Sequence, residues 1–480
     1  MGLTFDKRVA DPVHGSIPLT CAETRILGTR IFQRLINVRQ LGLAHLVYPG
    51  ADYSRLSHSL GVCHLTWRML EHIRDLKSDA IPGIDDNKLA LYRIAGLLHD
   101  VGHYPFSHAA EQAISDFYSR SLLTQAPGIE GQGADPQLPS GPPSYKHEQM
   151  GKLVISRDPE LQEVFKAYDI DPAEVSSIFM REKPQGLENV VSSDLDADRI
   201  DYLLRTARHT GLPYGSVDLD YLISQLRVDK DGHLCITRKA LKTADHFLLC
   251  RYFDYQQVSY HKTVAGLELV LKDVIVGLLE TGALRCSATD VSDMVNEGKW
   301  RDFDDGFVLH KIRDVSRVSE DRVLSQKALS IVDRHPPKLV AESESFKGRD
   351  KTTANTFAMT FKHIESKIQG WADHFSIPRE LWYIWTKLGE PLISMSPYVP
   401  TSATQDGSCR ANDELEQSIR VLDERTRKST PLPEVSRSLM SVLASHALYS
   451  CRVYVLLSAD MDRRRAEIEA KIRSDLPELD

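Results

Sequence analysis

One stretch limits this chain more than any other: "AGLLHDVGHYPFSHAAEQ", residues 95–112, with His99, Asp100, His103, His108 and Glu111. It follows an apolar run, residues 90–98, that reads as a buried helix. Five titratable side chains within thirteen positions at the end of such a helix would be very costly to bury unpaired. A lone His-Asp dipeptide would carry little weight, since an arbitrary histidine sits on the surface or in a satisfied core; this density does not fit that reading. Adjacent residues on a helix point about 100° apart, so His99 and Asp100 reach one ion only from a helix end or a bend. Gly102 and Pro105 are expected to supply that bend.

At 480 residues the chain is too long for one ordinary core, and two or three subdomains around a large main one are expected. A hydrophobic share of 42% with 26% charged residues suits a soluble globular enzyme. The net charge of −8 argues against a dedicated nucleic-acid coat, which needs a clustered basic surface. A small anionic substrate stays compatible, because a local pocket of arginines, lysines or metal inverts the field. No apolar stretch approaches the roughly 20 residues of a membrane helix. "MGLTFDKRVADPVHG" lacks the apolar part of a signal peptide. The seven cysteines form no CxxC pair, so neither a zinc knuckle nor a disulfide framework is indicated, and a reducing cytoplasm is expected.

Helical spacing covers residues 22–48 as one helix, then 54–76, with His58 mid-helix, 87–98 and 107–123. Residues 124–145, rich in Gly and Pro, read as a surface insertion. Helical pattern resumes at His147 and again over 192–209. Residues 222–241 form a hairpin around a Lys-Asp-Gly turn, and 242–280 form two helices. Residues 340–356 are polar and expected to be mobile. "SCRVYVLL", residues 450–457, reads as a short strand before the charged helix "DRRRAEIEAKIRSDL". The expected fold is mainly α, a helical core with a small β-hairpin and a mixed α/β C-terminal region. The division is 1–225 for the catalytic core, 226–285 completing the site, and 286–480 for regulation or oligomerisation.

Two further residues join the first cluster. His58 follows Ser57, and Asp198 lies in "DLDADRIDY", where four carboxylates crowd one segment. Two imidazoles with two carboxylates make a mixed N/O set suited to Mn²⁺, Fe²⁺, Zn²⁺ or Ni²⁺ and poor for Ca²⁺.

"RLSH", "LLHDVGHYPFSH", "HEQMG" and "DLDADRIDYLL" together resemble the HD-domain phosphohydrolases. More closely they resemble the deoxynucleoside triphosphate triphosphohydrolases, the group that includes the animal sterile-alpha-motif and HD-domain dNTPase. "DPVHGSIPLT" and "RYFDYQQVSYHKT" extend the similarity over residues 5–275, and no sterile-alpha-motif domain is expected in these 480 residues. The resemblance implies a metal set of His58, His99, Asp100 and Asp198, and a second catalytic group of His103, His108, Glu111 and His147. His108 and Glu111, three apart on a helix, could hydrogen-bond, raising the imidazole pKa as a general acid requires. Arg55 and Arg199 would meet phosphate, Arg251 and Tyr202 would stand near triphosphate and sugar, Gln40 would meet the sugar edge, and Tyr260 and His261 are further expected substrate contacts. Lys262, Arg334 and Lys338 resemble part of a regulatory dNTP pocket.

The implied reaction releases a deoxynucleoside and inorganic triphosphate, with a divalent transition metal supplying Lewis acidity and one of His103, His108 or His147 protonating the leaving 5′-oxygen. Mg²⁺ would accompany the substrate phosphates. The implied assembly is a homo-oligomer, dimer to hexamer with a tetramer favoured, lowering dNTP pools for balance or against phage. The chain departs from the animal enzyme at Thr206 and Ser259, and at Gly28 and Ile36, where its guanine-reading residues would stand. Two competing readings use the same residues: a phosphodiesterase acting on a cyclic or linear oligonucleotide, and a non-catalytic nucleotide sensor.

Overall fold

Polar caps set where the helices around residues 95–112 begin and end. The computed structural model describes residues 3–76, 83–124, 144–180, 186–391, 418–458 and 461–476; nearly all of the 124–145 insertion lies outside them. Ser54 opens the helix Arg55–Asp75 by accepting from Ser57 N at 3.5 Å. Asp85 opens Asp86–Leu98 through Lys88 N at 2.8 Å, and Asp196 opens Ala197–Thr210 through Arg199 N at 2.6 Å. Such caps contribute about 1 kcal/mol each. His58 therefore stands in the first turn of its helix, not mid-helix. The Arg55 helix packs against both others, burying Val62, Leu65 and Met69 among Leu89, Ile94, Leu97, Ile200 and Leu203.

The segment 22–48 is not one helix. Thr20 caps Cys21–Leu27, and Thr29, directly after Gly28, restarts the chain as Arg30–Gln33, followed by 3₁₀ turns Arg34–Asn37 and Ala44–Leu46. A second cap beside a glycine overrides the helical spacing there. Residues 242–280 are two helices, Leu241–Asp254 and Lys262–Glu280, joined by a π turn over Tyr255–Ser259. The second packs on His108–Thr124 and Arg322–Val332.

Among the described residues three small sheets complete a mainly α fold. β1 (Lys7–Asp11) and β2 (Gly15–Leu19) form an antiparallel hairpin. The expected hairpin is β3 (Leu226–Val228) with β4 (Leu234–Thr237). In a third sheet β9 (His446–Val455) lies between β5 (Lys338–Gly348) and β6 (Trp382–Pro391), all antiparallel. The hairpin sheet is extended by β7 (Arg420–Leu422), parallel to β4, and β8 (Ser429–Pro431). Asp229 ties the hairpin turn together by accepting from His233 N at 2.9 Å and from Ser429 Oγ at 2.5 Å.

The polar stretch expected to be mobile at 340–356 is instead β5 and the start of the helix Lys351–Phe375. Its acids are paired across the strands: Arg452 of β9 reaches Glu342 at 2.5 Å and Glu344 at 3.4 Å. One contiguous hydrophobic cluster runs from Ile17 to Leu476. Among the described residues no helix is long and apolar enough to cross a membrane.

Candidate active site and metal centre

Four helices present their N-terminal turns to one place: those beginning at Arg55, His108, His147 and Ala197. They bring His58, His108, Glu111, His147 and Asp198, while the C-terminal end of Asp86–Leu98 delivers His99 and Asp100. Converging helix N-termini favour an anion through their unpaired N–H groups and dipoles.

His58 Nε2 lies 3.0 Å from Asp198 Oδ1 and 3.9 Å from Asp100 Oδ2. His99 Nε2 lies 3.2 Å from Asp100 Oδ1 and 3.9 Å from Asp198 Oδ1. Donors on one ion, each about 2.1 Å from it, stand roughly 3–4 Å apart; His58, His99 and Asp198 offer donor atoms that all lie within 4.8 Å of one another, and Asp100 stands beside them with Oδ2 paired to Arg55. The distal ring nitrogens are committed elsewhere: His99 Nδ1 to Gly96 O at 2.8 Å, and His58 Nδ1 to Asp201 Oδ2 at 2.7 Å. That fixes which nitrogen of each ring faces the centre. His99 Nε2 is buried with no hydrogen-bond partner among the described residues, as an atom meant for a metal would be. The donor set thus fits a divalent transition ion.

Behind it stands a layer that the sequence reading did not single out. Asp201 is gripped by Arg205 at 2.8 and 2.9 Å and by His14 Nε2 at 2.6 Å, and Arg205 reaches Asp11 at 2.7 Å. Their only local signal is spacing: Asp201 and Arg205 follow Asp198 by three and then four residues on one helix. Burial alone would strip the proton from His58, but Asp198 and Asp201 outweigh it and hold the pKa at about 9. For Asp198, burial acts upward and is outweighed by His58, which brings it to about 2. Asp196, which caps the same helix, is pushed up to about 6 by burial.

The second cluster is His103, His108, Glu111 and His147. Glu111 accepts from His147 N at 3.2 Å and lies 2.9 Å from its Nδ1, whereas His108 Nδ1 is 3.7 Å away. The strong partner of Glu111 is therefore His147, not the i,i+3 His108 expected. His103 stacks on His147 with ring centroids 3.9 Å apart. His103 Nε2 lies 3.2 Å from Asp100 Oδ1, so one carboxylate faces both clusters. Burial lowers the pKa of His103 and His108. It acts on His147 as well, but there Glu111 outweighs it and the pKa is raised.

Gly102 acts differently from expectation. A Cβ there would stand 2.1 Å from Gly151 N and 2.2 Å from His147 O, so glycine lets the His147 helix approach. The bend itself lies at Phe106 and Ser107, both at φ 55°, a conformation rare for residues other than glycine.

Arg55 is buried, with Nη1 2.5 Å from Asp100 Oδ2 and Nε 3.0 Å from Ser107 Oγ. Arg199 donates to Ser193 O and, at 2.8 Å, to Asp196, so its head is held by its own loop. Arg251 is buried 3.2 Å from Asp194, beside Tyr202 and Tyr255. Gln40 Oε1 is buried without a hydrogen-bond partner among the described residues. Tyr260 packs between Tyr255 and Trp385, with ring centroids 5.8 and 5.3 Å away. His261 caps the helix Lys262–Glu280 through Thr263 N at 3.3 Å, and Thr206 bonds Tyr53 Oη at 2.7 Å. Lys262 and Arg334 are exposed, and Lys338 pairs with Asp462 at 3.2 Å.

The family model described as "HD domain" matches residues 55–178. An uncharacterized Bacillus subtilis protein, YwfO, is 29% identical over 57% of this chain and 56% of its own length. The deoxynucleoside triphosphate triphosphohydrolase SAMHD1 of Bos taurus is 26% identical over 56% of this chain and 48% of its own. Residues 55–178 carry an HD domain, and the chain is similar to proteins named as dNTP triphosphohydrolases. It spans about half the length of the curated relatives it matches. A phosphohydrolase from Bacteroides thetaiotaomicron shares the fold, with a TM-score of 0.67 and 21% identity over 94% of this chain and 100% of the other. Within the HD match lie His58, His99, Asp100, His103, His108, Glu111 and His147; Asp198 follows it.

Proposed function

We propose that the protein is a metal-dependent phosphohydrolase that cleaves deoxynucleoside triphosphates to a deoxynucleoside and inorganic triphosphate. The observation that carries the reading is a transition-metal donor set and a carboxylate-held imidazole set facing one carboxylate, Asp100, where four helix N-termini meet. His58, His99, Asp100 and Asp198 would hold the ion, which when bound supplies Lewis acidity at the scissile phosphate. Arg55, fixed by Asp100 and Ser107, adds positive charge at the polyphosphate without needing to reorganise. His147, whose pKa Glu111 raises against burial, is the proton source for the leaving oxygen, beside His103 and His108, whose pKa burial lowers. The orphaned Gln40 Oε1 is available to a hydroxyl or base edge.

Relatives named as dNTP triphosphohydrolases support the substrate class. Arg334 and Lys338, at the entry to β5, with Lys262 are proposed as contacts for a regulatory nucleotide, and a homo-oligomer as the working form. The test is product analysis. Protein loaded with Mn²⁺, Fe²⁺, Ni²⁺ or Zn²⁺, with Mg²⁺ present, is incubated with each dNTP and NTP, singly and mixed, and the products are separated by chromatography. Nucleoside plus triphosphate is expected; monophosphate plus pyrophosphate, or no turnover with any metal, contradicts the reading.

A further inference from the structure

The turn that carries both clusters is held from outside the HD match. Phe106 and Ser107 adopt left-handed backbone, which persists only when surroundings enforce it. Phe106 N donates to Asp305 Oδ1 at 2.7 Å. The other oxygen of the same carboxylate accepts from Arg39 N at 3.1 Å and lies 3.6 Å from Arg39 Nη1. Asp305 is itself buried in the first turn of the helix Asp305–Val318. Beside it, Arg34 donates to His103 O and to Phe303 O, each at 2.7 Å, with its guanidinium over the Trp300 ring.

Ser107 then joins the pieces: its Oγ accepts from Arg55 Nε at 3.0 Å and donates to Arg39 O at 2.9 Å. Arg55 in turn holds Asp100. A carboxylate two hundred residues away in sequence thus fixes the strained turn and through it Ser107, Arg55 and the start of the helix bearing His108 and Glu111. Its second oxygen fixes Arg39, which bridges to Ser54 and leads directly into Gln40.

We infer that Asp305 is a positioning residue for the reaction: it clamps the Phe106–Ser107 turn and the Arg39–Gln40 segment together, so the site is complete only with the segment following residue 300. The inference rests on reading the 99–111 turn as the reaction site. Asp305→Asn keeps the size and removes one of the two acceptor oxygens. Asp304→Ala is the control, because Asp304 caps the same helix through Phe307 N at 2.9 Å and makes no hydrogen bond to the turn.

Two readouts are taken on full-length, metal-loaded protein. Amide exchange followed by mass spectrometry should accelerate at least about tenfold over residues 100–108 in Asp305→Asn but not in Asp304→Ala. In dNTP turnover, kcat of Asp305→Asn should fall about 10- to 100-fold, by more than KM rises, while Asp304→Ala stays within about twofold at equal or lower Tm. Unchanged exchange in the turn overturns the inference, as does a kcat loss shared equally by both variants. Wild-type protein that hydrolyses no dNTP would refute the nucleotide reading alone; the exchange comparison still decides the role of Asp305.

Discussion

His58 and His147 each stand in the first turn of a helix, and each turns Nδ1 toward a carboxylate, at 2.7 Å to Asp201 and 2.9 Å to Glu111. The carboxylates differ in what stands behind them. Asp201 is already matched by Arg205 through two hydrogen bonds; it orients the His58 ring and, together with Asp198, raises its pKa against burial. Glu111 faces imidazoles and a backbone N–H, so its charge is free to hold a proton on His147. Nε2 of His58 points at Asp198 inside the donor set, while Nε2 of His147 lies 3.4 Å from the more exposed Glu148. Identical residue types are thus divided into a metal ligand and a proton carrier by the partners behind them.

Removing the metal set should have the largest effect. His99→Ala with Asp100→Ala is expected to abolish bound metal and lower turnover at least about 1000-fold, with helical circular dichroism retained. Metal content and residual activity read this directly, and surviving turnover would break the assignment.

Glu111→Gln comes next. It should retain the ion yet lose about 100-fold or more in kcat. Burial pulls the His147 pKa down and Glu111 raises it above the ordinary value, so activity carried by protonated His147 fades as pH rises through that raised pKa. Without the Glu111 charge, burial prevails, and the alkaline limb of the kcat profile should move to lower pH. A limb that stays in place would reassign the acid.

Asp201→Asn should act in the opposite sense. Metal affinity is expected to drop about 10- to 100-fold, with kcat largely restored at saturating metal. It also leaves Arg205 and His14 facing a neutral amide in a buried site, a loss on the order of 3 kcal/mol in a denaturant titration.

What the sequence revealed of this site follows from how local each signal is. His99, Asp100, His103, His108 and Glu111 crowd one stretch, and density alone marks it. Asp198 announces itself through neighbouring carboxylates, but Asp201 and Arg205 look like ordinary helix charges until folding buries them. His14 and Asp11 meet Asp201 and Arg205 from 187 and 194 residues away, and no local pattern encodes that. Helical spacing found the long helices but ran through the Gly28–Thr29 break, because spacing is blind to a cap that restarts the chain. Residues 340–348 looked mobile because their stabilising partner, Arg452 of β9, lies over a hundred residues away. Gly102 was noticed for the wrong reason: the position needs room for a neighbouring helix, not freedom to turn.

The division of labour between the two clusters can be tested by counting metal per chain. Wild-type protein, a His58→Ala/Asp198→Ala variant and a His108→Ala/Glu111→Gln/His147→Ala variant are each purified, loaded with Mn²⁺ without oxygen, desalted and assayed by elemental analysis. One ion per chain is expected in the wild type and in the triple variant, and none in the double variant. An ion lost from the triple variant, or kept by the double variant, would contradict the account.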